Sequence, residues 1–191
     1  MPRRTFDMLL SSVGVVLTVV LIAAGLLAFW GYSFANSNVH DQLAAQKITM
    51  PSGPAIADPA IKPYLSKYAN QPMTNGAQAE AYADHFIAVH LSEVAGGKTY
   101  SEVSALARAN PKDATLAGQV ETLFKGSTLR SMLLNAYGFW KMGQLALIGS
   151  IVSFVLAGLM AALSLLGFRH FRHTAPAEQI LASVTDHRAS A

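Results

Sequence analysis

The stretch Tyr82-Ala83-Asp84-His85-Phe86-Ile87-Ala88-Val89-His90-Leu91-Ser92-Glu93 holds the densest set of side chains able to do chemistry. Two imidazoles and a carboxylate, His85, His90 and Glu93, form the ligand set of a non-haem iron site or a catalytic zinc site. On a regular helix His90 and Glu93 lie about 60° apart, while His85 lies about 140° from His90. Paired helical ligands stand at i and i+4 on one face, so the five-residue step splays the two histidines. The bland alternative is a packed His90 among Ala79, Ala83, Phe86 and Val94 on the core face, holding one hydrogen bond, with His85 as a flanking surface residue. The geometry favours that alternative, so no catalytic residue, cofactor or metal is assigned. His85, His90 and Glu93 stay as the candidates on which a metal-dependent envelope enzyme would depend.

Other chemistry finds less support. His170 and His173 stand beside Arg169 and Arg172, where an interfacial cluster meeting lipid phosphates explains all four. Asn135, Tyr137, Trp140, Lys141 and Gln144 gather before an apolar run, as an aromatic belt with a snorkelling lysine, or as a polar dock for a partner or head group. There is no Gly-x-Ser-x-Gly elbow. Gly96-Gly97-Lys98-Thr99 lacks the first glycine and the spacing of a phosphate loop. With no cysteine in the chain, disulfides, thiol catalysis and cysteine-based metal sites are excluded.

The elements that must position these groups are set by two apolar runs, Leu9 to Trp30 and Leu145 to Phe168. Neither contains an ionisable residue. Each is long enough for a helix to cross a hydrocarbon core of roughly 30 Å. They account for a composition of 52% hydrophobic and only 13% charged residues, too apolar for an ordinary soluble domain. The first run exceeds a cleaved signal's apolar core, so an uncleaved anchor is expected. Arg3 and Arg4 before it, and Arg169 and Arg172 after the second, satisfy the positive-inside rule for a hairpin with both termini cytoplasmic. Between the runs nine Lys/Arg face eight Asp/Glu with no basic-aromatic cluster, so nucleic acid is not an expected partner. The absence of ionisable residues in the runs leaves a proton relay or ion pathway without a carrier in this chain. A transporter-subunit reading would need those residues from a partner.

Small residues recur along both runs: Ser11, Gly14, Thr18, Gly25 and Ala28 in the first, and Gly149, Ser153, Ala157 and Ala161 in the second. Such stripes let helix backbones approach, either each other or a partner's span. Trp30, with Tyr32 and Phe34, marks an outer interfacial belt, and Trp140 and Lys141 anchor the second run.

The segment between reads as helical. The first helix is expected to continue over Asn36 to Lys47. Pro51, Pro54, Pro59 and Pro63 then enforce a loop, with a short helical piece near Ile61 to Tyr68. Asn75 to Gln78 fits a capping box opening a helix that ends at Gly96-Gly97. Thr99 to Glu102 fits a second, for a helix stopped by Asn110-Pro111. Asp113 caps a third with Leu116, Val120, Leu123 and Phe124 on its apolar face, a bend point at Gly126-Ser127, and a continuation into the second run. No run alternates with period two, so no sheet is expected.

With these residues in hand, the chain resembles a group of uncharacterised actinobacterial two-span membrane proteins, some labelled as a subunit of an aromatic ring-opening dioxygenase. The resemblance lies in HDQLAAQKITMPSG from His40, AYADHFIAVHLSEVAGGKTYSEV from Ala81 and TLRSMLLNAYGF from Thr128. It implies the two-span layout and carries over no catalytic residue.

The expectation is therefore an all-α membrane protein: two antiparallel transmembrane helices with a helical extracytoplasmic segment between them. Residues 1–8 form a cytoplasmic N-terminus, 9–34 the first transmembrane helix and 35–136 the helical segment. Residues 137–168 form a lead-in and the second transmembrane helix, and 169–191 a basic cytoplasmic tail. The location expected is the bacterial plasma membrane. The role expected is that of a non-enzymatic accessory, scaffolding or envelope-sensing protein. Its partners are the bilayer and a membrane-protein partner or a second copy of itself.

Overall fold

A computed structural model describes residues 3–173, with side chains from residue 5 on. The expected polar tail from Thr174 and the side chains of Arg3 and Arg4 lie outside the described residues. Among the described residues six α-helices follow one another: α1 (Arg3–Ala45), α2 (Lys62–Leu65), α3 (Gly76–Tyr82), α4 (Ala88–Val94), α5 (Tyr100–Ala109) and α6 (Ala114–His173). Short 3₁₀ turns cover Gly53–Ile56 and Ser66–Tyr68, and a π-helical turn, Ala83–Ile87, joins α3 to α4. No strand occurs among the described residues; an isolated antiparallel bridge pairs Thr49 with Pro72. Two helices, α1 and α6, are long and apolar enough to cross a membrane. The chain divides into two compact units, Met1–Gly31 with Leu145–Ala191, and Tyr32–Gln144; α1 and α6 contribute a stretch to each.

The first unit contains both apolar runs. Along α1 its covered residues include the row Asp7, Ser11, Gly14, Thr18, Leu21, Gly25 and Ala28; along α6, Ala146, Ser150, Ser153, Ala157, Met160, Ser164, Gly167 and Phe171 form a matching row. Both rows advance by alternate steps of three and four, the 3.5-residue repeat of left-handed helix pairs. Small side chains make this close packing possible. A methyl group added at Gly14 would strike Ser164 Oγ, and one at Gly167 would strike Ser11 Oγ. At Gly25 it would come within 2.9 Å of the Phe154 ring. Three hydroxyls in the seam find acceptors within the unit: Ser150 Oγ donates to Gly25 O at 2.9 Å, Thr18 Oγ1 to Gly14 O and Ser164 Oγ to Met160 O, both at 2.8 Å. Leu, Ile and Val side chains cover the rest of both stretches and point outward.

The second unit is organised the other way round. Val39 and Leu43 of α1, Met50, Ile56, Ile61, Leu65, Met73, Ala79, Ala81, Ala83 and Leu133 of α6 make one buried apolar cluster. The proline-rich loop reaches this core because its backbone is held in place. Met50 N donates to Gln71 O and Met73 N to Ile48 O, both at 2.8 Å. Lys47 and Asn70 adopt positive φ, at 54° and 61°, to reverse the chain on either side of that pairing.

Both expected capping boxes form, Asn75 with Gln78 at α3 and Thr99 with Glu102 at α5. Asp113 Oδ1 accepts from Thr115 N and Leu116 N at the start of α6. Gly96 and Gly97, at φ 61° and 81°, follow α4 as the expected stop. Beyond it, α5 buries Val103, and Gln119 of α6 donates to Val94 O at 3.0 Å. Helical geometry runs through Gly126 and Ser127, and Ser127 Oγ donates to Leu123 O.

Candidate functional site

The histidine segment does not follow a regular helical register. The π turn over Ala83–Ile87 places an extra residue in the helix, rotating everything after it by roughly 100° relative to a regular α-helix. The expected core-facing His90 is consequently exposed, and the expected surface residue His85 is half-buried. The His85 ring lies flat on the Tyr64 ring, with centroids 3.4 Å apart and planes 2° from parallel. His90 Nδ1 stands 2.7 Å from Phe86 O; a carbonyl only accepts, so Nδ1 carries the hydrogen. Tyr82, Phe86 and His90 form a ladder of rings 5.0 Å and 4.4 Å apart. Glu93 is exposed. Among the described residues no group of three His, Cys, Asp or Glu side chains could hold a metal ion, so the structure does not bring His85, His90 and Glu93 together.

The π turn is clamped to α6. Arg130 donates to Asp84 Oδ1 through Nε at 3.2 Å and Nη2 at 2.7 Å. Both bonds end on one carboxylate oxygen, a partly screened charge-assisted tie between residues 46 positions apart.

Sequence reasoning missed a cleft in the same unit. This cleft of about 800 Å³ opens between residues 38–43 of α1 and residues 129–139 of α6, with Gln46, Ile48, Tyr82 and Ile87 forming its remaining wall. Val39, Leu43, Leu133 and Phe139 give it apolar walls, and Leu129 and Met132 stand at its exposed mouth. Asn38 and Gln42, at i and i+4, set two carboxamides on one face of α1, Gln46 adds a third from the turn just past the helix, and Asn135 adds one from α6. Gln42 Nε2 donates to Asn38 Oδ1 at 3.0 Å. Burial pushes the Tyr82 phenol pKa up, keeping it a neutral hydroxyl at physiological pH. Three carboxamides spaced by four after an apolar run are readable in the sequence; the wall they face is not. Elsewhere, the Glu102 carboxyl is held below its usual range first by the Thr99 backbone N–H and then by the Thr99 hydroxyl, at the α5 cap.

The remaining sequence-predicted residues fall as follows. Gly14, Thr18, Gly25, Ser153, Ala157 and Ala161 are covered within the first unit, whereas Gly149 is exposed with open space around it. Ser150 and Ser164, which sequence reasoning left out, are among the most buried residues of that unit. Trp30, Lys141, Arg169 and Arg172 are exposed; Trp140 is half-buried, packed on the core of the second unit against Gly76. His170 Nε2 lies 3.7 Å from Asp7 Oδ2.

No family model, curated protein or solved structure matches the chain.

Proposed function

We propose that this chain is a two-span protein of a bacterial plasma membrane, akin to the actinobacterial group it resembles, and that its role is non-enzymatic. α1 and α6 cross the bilayer antiparallel, both termini are cytoplasmic, and Tyr32–Gln144 is an extracytoplasmic module that serves a neighbouring membrane protein or senses the envelope side. One observation carries the reading: both apolar runs turn large apolar side chains outward and enclose a seam of glycine, alanine and serine. Water disfavours that arrangement, and hydrocarbon favours it. The pairings of Ser11 with Gly167, Gly14 with Ser164 and Gly25 with Phe154 support the antiparallel sense, since one number falls as the other rises.

The chain has no cysteine, so single cysteines report topology cleanly. In intact cells a membrane-impermeant maleimide should label Lys98→Cys and spare a cysteine appended after Ala191. The reverse pattern overturns the orientation, and recovery of the full chain in the soluble fraction overturns the membrane reading. Purification of the tagged chain from native membranes tests the accessory role. A stoichiometric membrane complex is expected, and a solitary chain with no bound partner removes that role in favour of sensing.

A further inference from the structure

The cleft between α1 and α6 in Tyr32–Gln144 has the dimensions and chemistry of a small-molecule site. Its volume of about 800 Å³ falls within the roughly 300–1,000 Å³ of ligand pockets, which also pair apolar walls with a few placed polar groups. Among the described residues lining it none is charged. A buried carboxylate, phosphate or ammonium would therefore meet no counter-charge from the lining, at a high desolvation cost. The carboxamides of Asn38, Gln42 and Asn135 can donate to and accept from hydroxyl, ester and amide groups alike. Leu129 and Met132, 54% and 64% exposed, leave apolar surface at the mouth for a ligand to cover.

We propose that this cleft binds one uncharged amphiphile, an alkyl or isoprenoid chain ending in a hydroxyl, ester or amide group, with the chain against Leu43, Leu133 and Phe139 and the head on the carboxamides. The proposal rests on the membrane reading above, because the bilayer is the source of such a molecule. The helices that wall the cleft are those that carry the apolar runs: seven residues of α1 separate Trp30 from Asn38. A helix from a second copy is a poorer occupant. The walls extend only about 8 Å on α1 and about 15 Å on α6 by helical rise, enough to cover at most three turns, and a docked helix would face the carboxamides.

The test uses the full chain reconstituted in phosphatidylcholine vesicles and a monoacylglycerol carrying a diazirine in its chain, with cross-linked residues located by mass spectrometry. Label is expected on residues 38–48 and 129–139. Unlabelled 1-oleoylglycerol should displace it, and its 3-phosphate, which differs only in a charged head, should not. Geranylgeraniol, run in parallel, separates the isoprenoid from the alkyl source. Met132→Trp, placed at the exposed mouth where it leaves the core untouched, should block the cleft and cut labelling about tenfold, the equivalent of about 1.4 kcal/mol. Gln42→Leu removes one hydrogen-bonding group and should cut it about fivefold.

Equal displacement by the phosphate overturns the uncharged head. Label confined to the apolar runs, or a Met132→Cys variant that cross-links to a second copy and thereby protects the cleft, overturns the site. Failure of the membrane reading looks different: the chain would not float with the vesicles at all, whereas failure of the cleft leaves flotation intact.

Discussion

The two units of this chain are packed by opposite rules. In Tyr32–Gln144 large apolar side chains are fully buried beside Ala79 and Ala83: Leu65 and Met73 are 0% exposed and Met50 is 1% exposed. In the unit built from the apolar runs, Ser150 is 1% exposed, and Val16, Leu27, Leu159 and Leu165 stand on the outside. A core that gathers its apolar volume inward is driven by water. A seam that gathers hydroxyls and glycines inward, leaving leucines out, gains nothing from water and relies on close backbone approach and internal hydrogen bonds. One chain thus carries two solvent signatures, and substitutions can ask whether each is genuine.

The largest contrast should come from paired leucines. Leu65→Ala deletes a fully buried side chain and should cost about 2–5 kcal/mol. Leu159→Ala trims an outward leucine and should stay within about 0.5 kcal/mol in a bilayer. Half-buried Trp140 packs on the same core as Leu65, so its fluorescence in a Trp30→Phe background reports urea unfolding of that unit. The thermal stability of the reconstituted chain reports on Leu159. Similar costs at the two positions would erase the distinction between the units.

Glycines extend the comparison at the next size. A methyl at Gly76 would lie 2.5 Å from Trp140 Cβ and 2.7 Å from its Cγ, atoms near the backbone with little freedom to move. Gly76→Ala should therefore cost about 1–3 kcal/mol through overpacking, read by the same Trp140 signal. Gly149 has nothing within 4 Å, so Gly149→Ala should be neutral or gain up to about 1 kcal/mol from helix propensity. A cost at Gly149 would point to a packing partner supplied by another molecule.

That pair also marks how far the sequence could be read. Local punctuation was fully legible: the caps at Asn75, Thr99 and Asp113 and the stop at Gly96-Gly97 depend on neighbours three or four residues away, and each forms. The small-residue rows were only half legible. On α1 the steps from Ser11 to Ala28 follow the 3.5 repeat that the structure uses. On α6 a stride of four starting at Gly149 begins on an exposed residue and passes by Ser150 and Ser164. A stride of four and one of 3.5 diverge within two turns, and only the partner helix decides between them. The faces assigned to His85 and His90 failed for a different reason. They were derived at 100° per residue, and the π turn at Ala83–Ile87 changes that register. Such a turn is stabilised by what packs around it, here the Arg130 tie to Asp84 and the Tyr64 ring on His85, all distant in sequence. The cleft was illegible on the same ground: its walls are about a hundred residues apart, as Asn38 and Asn135 show.

The smallest effect bears most directly on the seam. Ser150 Oγ donates to Gly25 O across 125 residues of sequence, deep in the first unit. In water-driven packing, loss of a buried hydrogen bond that strands its partner costs about 1–3 kcal/mol. Here Gly25 O lies in mid-helix, where it keeps its own helical donor, and an alanine methyl leaves no stranded hydroxyl. Ser150→Ala should consequently cost about 0.6 kcal/mol, the average for hydrogen bonds between membrane helices, measured as the shift in thermal stability of the reconstituted chain. A loss above about 2 kcal/mol, beyond what such bonds contribute in a bilayer, would mean that the seam stores its stability in a single polar tie. The contrast between distributed backbone approach in one unit and concentrated apolar burial in the other would then fail at its most buried residue.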